Sequence, residues 1–138
     1  MPKMLFLIIL LLTWAGAIKI SAHSQKDDGF SQFYADFQNA VKADDKEKVL
    51  SMTSFDGFTW EESDSLRQVK TKEAFIKNYN RMFTKTIKSK IATMKPEKNN
   101  DDGSYFIIWH TRDLEYSLYF FHQKDGSYSF EGLTIGPY

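Results

Sequence analysis

Three runs of sequence decide the fold of this chain: Ser104-Tyr-Phe-Ile-Ile-Trp-His-Thr-Arg112, Glu115-Tyr-Ser-Leu-Tyr-Phe-Phe-His122 and Ser127-Tyr-Ser-Phe-Glu-Gly-Leu-Thr-Ile135. Each run is rich in aromatic and β-branched residues, and short polar breaks separate them, a pattern typical of strands. Asp125-Gly126, between the last two runs, is a strong signal for a two-residue hairpin turn. The stretch therefore predicts an antiparallel three-strand meander against which the rest of the chain packs.

The first residues have the pattern of a secretory signal peptide. Lys3 supplies a positive charge, residues 4–12 form an unbroken apolar run, and small residues follow up to Ala22. The run is shorter than the roughly 20 residues that a membrane-spanning helix needs. We therefore expect residues 1–22 to be removed and the protein to be exported, periplasmic or secreted, without a transmembrane span. Cleavage after Ala17 and an uncleaved anchor are the alternatives.

Residues 23–138 are predicted to form a single domain, a length that suits one core. The chain has no cysteine, which excludes disulfides, thiolate metal sites and a catalytic thiol. The aromatic fraction of 16% supplies the core. The 18 basic and 18 acidic residues balance, so the overall charge gives no reason to expect a nucleic-acid partner.

Three helices are predicted ahead of the meander. Apolar residues at three- and four-residue spacing indicate a helix over residues 29–43, and a capping-box pattern at Asp44 and Glu47 starts a second, shorter one. A third helix begins after Thr71 and reaches towards residue 94, with a break near residues 84–86 because threonine lowers helix propensity. Residues 58–60 predict a short strand, and residues 64–70 are either a loop or an edge strand. Helices segregated from a sheet indicate the α+β class.

A hydrophobic spacing pattern runs along the helical part of the chain. Its positions are Phe33, Phe37, Val41, Asp45, Val49 and Phe55, followed by Phe75, Tyr79, Phe83, Ile87 and Ile91. With the order of elements and the size, this pattern resembles the nuclear transport factor 2-like superfamily, also called cystatin-like, over nearly the whole mature chain. The resemblance implies a cone-like fold, in which a curved antiparallel sheet of the meander and one short earlier strand packs on about three helices. It also implies a pocket at the open end in many members and dimers formed through the sheet. The superfamily includes enzymes and binding modules, so the fold does not decide the function.

The lengths of two turns decide which residues of the meander share a face. A two-residue turn at Asp125-Gly126 places Phe120 opposite Glu131, and the first turn is expected to pair Thr111 with Glu115. A one-residue change in the first turn would exchange the faces of the first strand. The first face is predicted to hold Phe106, Ile108, His110, Tyr116, Leu118, Phe120, His122, Glu131, Leu133 and Ile135, and the second Tyr105, Ile107, Trp109, Ser117, Tyr119, Phe121, Tyr128, Phe130 and Thr134.

Glu131 is the leading candidate for a catalytic group. It lies among apolar neighbours, where a carboxylate inside a pocket could serve as a general base with a raised pKa. His110 and Tyr116 are the candidates to assist it, and the alternative is that Glu131 lies on an exposed sheet edge. The sequence contains no serine-nucleophile, phosphate-loop or zinc-protease motif.

The tyrosine-rich face is the candidate binding surface. Tyr105, Trp109, Tyr119 and Tyr128 combine an apolar body with a polar tip, which suits contact with a small apolar ligand, a protein partner or a second copy of the chain.

The third helix carries a candidate patch for an anionic partner. Lys77, Arg81, Lys85 and Lys88 fall roughly on one side of it. The alternative is a solvated face that balances the acidic first half of the domain. No metal site and no cofactor are predicted, and nucleic acid is not expected because aromatic residues do not interleave with these cations.

Taken together, the sequence favours an exported, non-enzymatic binding domain that uses a pocket or an aromatic sheet face. A pocket enzyme of the hydrolase or isomerase type, with Glu131 as general base, is one alternative. A structural homodimer held through the sheet is the other.

Overall fold

The computed structural model describes residues 28–63, 65–67 and 69–138, so the predicted signal peptide at residues 1–22 lies outside the described residues. Four helices and six strands follow one another along this part of the chain. They are α1 Phe30–Lys42, α2 Lys46–Ser51, β1 Thr59–Glu62, β2 Ser65–Arg67, α3 Lys72–Met82, α4 Lys85–Thr93, β3 Glu97–Lys98, β4 Tyr105–His110, β5 Leu114–His122 and β6 Tyr128–Pro137. Within the described ranges, no helix is both long enough and apolar enough to cross a membrane.

The strands form one curved, open sheet in the order β2-β1-β6-β5-β4-β3. The predicted α+β class and the antiparallel meander β4-β5-β6 are confirmed. The expectation of an entirely antiparallel sheet is corrected, because β1 lies parallel to β6. The two strands are far apart in sequence and no tight turn joins them, so their relative direction is not fixed locally. Residues 65–67 form an edge strand, which decides between the two alternatives for that segment.

Helix starts follow the capping residues in the sequence. The Asp28 carboxylate accepts a hydrogen bond of 3.1 Å from the backbone N–H of Phe30 at the start of α1. Asp45, rather than the expected Asp44, caps α2 by accepting from the N–H of Lys48 at 3.0 Å. Thr84 caps α4, so the predicted third helix divides into α3 and α4 at the expected break.

The core lies between the helices and the concave face of the sheet, which we call the inner face. Phe120 is fully buried there, with its ring centroid 5.2 Å from that of Phe37 and 5.7 Å from that of Phe130. Aromatic rings therefore occupy the space in which the sequence led us to expect a pocket. Fully buried large side chains include Phe37, Trp60, Phe75, Tyr79, Met82, Phe83, Phe120 and Phe130.

The register of β5 and β6 differs from the prediction near their turn. Leu118 does lie opposite Leu133, but Phe120 lies opposite Phe130, and the pairing then skips Glu131. The loop has three residues instead of two, because Gln123 donates its N–H to the Ser127 carbonyl at 2.7 Å and Gly126 takes a positive φ of 88°. The predicted pairing of Phe120 with Glu131 is therefore wrong, and Glu131 is the extra residue of a β-bulge.

The turn between β4 and β5 is also shifted by one residue. His110, instead of Thr111, lies opposite Glu115, and Ile107 lies opposite Leu118. This is the shift that exchanges the faces of the first strand. The predicted faces are corrected accordingly: Tyr105, Ile107 and Trp109 share the inner face, whereas Phe106, Ile108 and His110 point away from the core.

Candidate functional site

The side of the sheet that points away from the helices, here called the outer face, exposes apolar side chains. Leu66, Ile108 and Phe121 are 59%, 38% and 38% exposed, and of the described residues only Tyr138 joins them as an exposed large hydrophobic side chain. Half-buried Phe106 and Tyr119 lie between them. The outer face thus holds three of the four exposed large hydrophobic side chains of the described residues.

Strand pairing places these side chains in rows across the sheet. Ile108 lies opposite Ser117, and Ser117 opposite Thr134. The same row continues through Glu61 to Leu66. Small residues occupy its centre, so the larger side chains stand beside a low, flat strip.

Tyr119 and Gly132 form the middle of the outer face. A Cβ atom added to Gly132 would lie 3.5 Å from Cδ2 of Tyr119 and 3.3 Å from the carbonyl oxygen of Thr59. The tyrosine ring therefore packs over the glycine backbone, and a methyl group at Gly132 would crowd the carbonyl oxygen of Thr59. This packing holds the ring of Tyr119 against the sheet and flattens the surface.

The candidate general base, Glu131, lies on the outer side of the bulge. Its Oε1 accepts hydrogen bonds of 2.6 Å from Gln123 Nε2 and 2.8 Å from Ser129 Oγ. Ser129 is the strand partner of Phe121, which places this network on the outer face. Glu131 is thus hydrogen-bonded to polar neighbours at the sheet surface and does not point into the core.

The other two candidate catalytic residues are not brought to Glu131. His110 lies two strands away from β6, in the row of Glu115 and Gly136, and Gly136 is five residues beyond Glu131. His110 is therefore roughly 15 Å from Glu131 along the strands and about 10 Å across them, with its Nε2 2.9 Å from Glu115 Oε2. Tyr116 lies on the inner face, stacked on Trp109 with ring centroids 4.9 Å apart. The described structure therefore does not assemble the general-base site that the sequence suggested.

The four residues of the predicted binding face are divided between the two sides of the sheet. Tyr105, Trp109 and Tyr128 belong to the inner face, and Trp109 and Tyr128 are buried. Tyr119 alone remains on the outer face. The expectation of one shared tyrosine-rich surface is corrected by the shifts in both turns.

Two of the inner tyrosines contribute to a polar network at the start of α1. The Asp28 carboxylate accepts a hydrogen bond of 2.9 Å from the Tyr105 hydroxyl and an ion-paired one from Lys98 Nζ. Partial burial alone would raise the pKa of Asp28, but these hydrogen bonds and the one from the N–H of Phe30 outweigh burial and lower the pKa to about 2. Burial, together with the nearby Asp28 charge, raises the pKa of Tyr128 to about 12. The network joins α1 to β3 and β4.

The predicted basic patch is partly neutralised within the molecule. Arg81 donates to Glu62 Oε2 at 2.7 Å, and Lys88 forms an ion pair with Asp44. Lys77 and Lys85 are exposed on α3 and α4 respectively. The four cations thus lie on two helices, and two of them already hold acidic partners.

A cluster that the sequence did not reveal surrounds the indole of Trp60 on β1. The Arg81 guanidinium lies 5.3 Å from the centroid of the Trp60 ring, and Arg67, the strand partner of Trp60, is 3.8 Å from Glu62. Trp60 is 2% exposed and its Nε1 has no hydrogen-bond partner. The cluster attaches α3 to the sheet through a cation–π contact and ion pairs.

A depression of about 340 Å³ lies between α1 and α2 and opens broadly to the surface. Its lining residues are Asp36, Asn39, Ala40, Ala43, Asp45 and Lys48. In the described ranges no group of three or more His, Asp or Glu side chains is placed to hold a metal ion.

No protein-family model and no curated protein matches the chain. Solved structures that are similar to it include the following two. One is an NTF-2-like protein of unknown function from Shewanella oneidensis MR-1, with 10% identity, a TM-score of 0.48, and coverage of 79% of this chain and 97% of that chain. The second, from Shewanella frigidimarina NCIMB 400, is named "putative ketosteroid isomerase", with 10% identity, a TM-score of 0.45, and coverage of 79% and 95%. The first bears the name of the superfamily that the sequence resembles, and at these scores neither likeness transfers a function to this chain.

Sequence reasoning predicts Tyr119 and Phe121 on the candidate binding face, but it misses the outer-face residues Leu66, Phe106 and Ile108. The sequence predicts Phe106 and Ile108 on the same face as Leu118. Leu118 lies in the core, whereas Phe106 and Ile108 lie on the opposite face of the sheet. The helpful signal was the alternation in Phe106-Ile-Ile-Trp-His110, where His110 and Ile108 share a side. A histidine at one end of an alternating strand suggests that its side is the wetter one.

Proposed function

We propose that this chain is an exported, non-enzymatic binding domain that recognises a protein partner through the outer face of its sheet. The observation that carries the proposal is the concentration of exposed apolar side chains on that face. Leu66, Ile108 and Phe121 are all at least 38% exposed there. Half-buried Phe106 and Tyr119, which are strand partners, connect Ile108 to Phe121, and connected apolar patches on a protein surface mark interaction sites.

The interior supports a surface mode of binding in preference to a pocket. Fully buried aromatic rings such as Phe37, Phe83 and Phe130 fill the space beneath the sheet. Glu131, His110 and Tyr116 do not converge, which removes the arrangement on which the enzyme alternative depended. The expectation of export rests on the signal-peptide pattern at residues 1–22.

Site-specific photocrosslinking tests the proposed surface. A photoreactive phenylalanine analogue would replace Phe121 on the outer face, and in a matched control it would replace Ala92 on the exposed surface of α4. In the cells that produce the protein, we expect a discrete adduct from position 121 that is absent from position 92. Substituting Ile108→Ser in the same chain should reduce that adduct. An equal yield from both positions, or none from position 121, would overturn the proposal.

Export is tested separately by intact-mass analysis of the protein recovered outside the cytoplasm. We expect a mature chain that begins at His23, or at Ile18 if cleavage follows Ala17. A chain that retains residues 1–22 would contradict processing by a signal peptidase.

A further inference from the structure

The charged residues on the outer face are all acidic, apart from a single histidine. Four glutamates occupy its strand positions, whereas the described residues of the six strands place no lysine or arginine on it. The two strand cations, Lys98 and Arg67, lie opposite the inner-face residues Tyr105 and Trp60. The outer glutamates are Glu61, Glu97, Glu115 and Glu131.

These glutamates are interleaved with the exposed apolar side chains. Glu61 lies directly opposite Leu66, and Glu97 directly opposite Phe106. Such neighbours are about 5 Å apart in a sheet, so a partner that covers the apolar side chains also covers the carboxylates. Covering a carboxylate without giving it a positive partner is unfavourable, because the charge loses its hydration.

We propose, on the basis of the binding surface argued above, that the partner is a cationic amphipathic protein segment in which lysines or arginines alternate with apolar residues. Its apolar side chains would cover Ile108 and Phe121, and its cations would pair with the surrounding glutamates. A neutral apolar partner would desolvate those glutamates and offer no positive charge to Glu61 and Glu97. Charge complementarity therefore selects the partner, and the apolar side chains supply the contact area.

The same charge pattern disfavours a symmetric dimer through this face. A two-fold interface brings one patch onto its own copy, so Glu61, Glu97 and Glu115 of each chain would approach those of the other without an intervening lysine or arginine. Of the cations in the flanking turns, Arg112 and Lys124 lie at opposite ends of the meander. A second copy is thus a poorer occupant than a basic partner.

Two peptides of about 18 residues test the proposed partner chemistry. Both have the same leucine pattern for an amphipathic helix, but one carries lysines at the polar positions and the other glutamates. Binding of each to the mature protein is measured by isothermal titration calorimetry at low and at high salt. We expect the lysine peptide to bind and its affinity to fall as salt rises. We expect no measurable binding of the glutamate peptide.

Three variants of the protein test whether the lysine peptide binds at the outer face. Glu61→Gln, Glu97→Gln and Glu115→Gln together should weaken the lysine peptide by about tenfold or more, because interfacial charge pairs are lost. Ile108→Ser with Phe121→Ser should weaken it to a similar degree. The matched control neutralises three exposed acidic residues elsewhere, Asp36→Asn, Glu47→Gln and Asp101→Asn, and should leave the affinity within about twofold. Circular dichroism melts confirm that each variant is folded.

The outcomes separate this inference from the proposed function. Equal loss in the control variant, or undiminished binding after Ile108→Ser with Phe121→Ser, would overturn the inference because the peptide would be held by general charge attraction. Equal binding of both peptides, lost when Ile108 and Phe121 are replaced, would overturn the cationic partner and retain the outer face as the binding surface. Concentration-dependent dimerisation of the mature protein, abolished by the same two substitutions, would identify a second copy as the occupant and also overturn the inference. Absence of the photocrosslinked adduct at position 121 would overturn only the proposed function.

Discussion

The hydroxyl of Tyr34 on α1 donates a hydrogen bond of 2.8 Å to the backbone carbonyl of Ile91 on α4. Both residues are buried, and the carbonyl also accepts from Gln38 Nε2 at 2.7 Å. Tyr79 presents the opposite case, since its side chain is fully buried and its hydroxyl has no hydrogen-bond partner. We therefore expect removal of the hydroxyl group to have opposite effects on stability at these two buried tyrosines.

Tyr34→Phe should destabilise the protein. The substitution removes a satisfied buried hydrogen bond but leaves the Ile91 carbonyl paired with Gln38, so we expect a loss of about 1 kcal/mol in the free energy of unfolding. Urea denaturation followed by circular dichroism measures it. A variant as stable as the wild type would show that this bond makes no net contribution.

Tyr79→Phe should be neutral or stabilising, by up to about 1 kcal/mol, because it deletes a buried polar group that the fold does not satisfy. Burial raises the pKa of Tyr79 to about 12, and the Asp44 and Asp45 charges add to the effect. The same denaturation measurement applies. A loss as large as that of Tyr34→Phe would mean that the Tyr79 hydroxyl has a stabilising partner after all.

Asp28→Asn should lower stability by about 1 kcal/mol at neutral pH, because hydrogen bonds to the charged carboxylate are weakened. The pKa of Asp28 is lowered from 3.8 to about 2 in the fold, so its stabilising contribution is complete above about pH 4 and is lost as the pH falls towards 2. The stability difference between wild type and Asp28→Asn should therefore narrow over that interval.

Thermal melts between pH 2 and pH 7 test this dependence. Lys98→Met is the matched control, since it removes one donor to the same carboxylate and should reproduce part of the pH effect. If the stability difference between wild type and Asp28→Asn stayed constant with pH, the pH dependence could not be assigned to Asp28.

Gly132→Ala should destabilise the sheet by about 1–3 kcal/mol, because the added methyl group would lie only 3.3 Å from the carbonyl oxygen of Thr59, its partner in the strand pairing. Gly136→Ala is the control in the same strand, where a Cβ would meet nothing within 4 Å. We expect Gly136→Ala to be neutral or slightly stabilising, because it reduces the entropy of the unfolded chain. Equal effects at the two positions would argue against a tight contact between Gly132 and the Thr59 backbone.

Glu131→Ala should cost about 1 kcal/mol, since Gln123 and Ser129 lose their shared acceptor at the bulge. Glu131→Gln retains an acceptor oxygen and should cost clearly less. Denaturant unfolding of both variants provides the comparison. If Glu131→Gln were as destabilising as Glu131→Ala, the negative charge would matter more than the hydrogen bonds.

Local patterns predicted the elements of this fold but not the pairing between them. Phe37 and Val41 recur at helical spacing and were correctly placed on a buried helix face. Thr71 correctly marked the start of α3, since its side chain accepts from the N–H of Ala74 at 3.2 Å. These predictions succeeded because the physical cause lies within a few residues of the chain.

The candidate site could not be predicted in the same way, because side-chain alternation makes the faces of a strand depend on one residue of turn length. The three-residue loop closed by Gln123 and Ser127 placed Glu131 in a bulge, and the shift of His110 onto Glu115 turned Ile108 outwards. The glycine at position 126 fits both a two-residue and a three-residue hairpin loop, so the turn residues alone do not decide the register. The general-base hypothesis therefore loses the convergence of Glu131 with His110 and Tyr116 that it assumed.

The sequence by itself determined the α+β class, the C-terminal meander and the helices, because hydrophobic periodicity and capping residues act locally. Tertiary structure alone decided that β1 lies parallel to β6, that aromatic rings fill the interior, and that Ile108 and Phe121 lie among glutamates on one outer face. Those outcomes depend on which strands meet and in which register. Contacts between residues far apart in the chain set the strand pairing and the register, because the aromatic side chains of the inner face must be buried together.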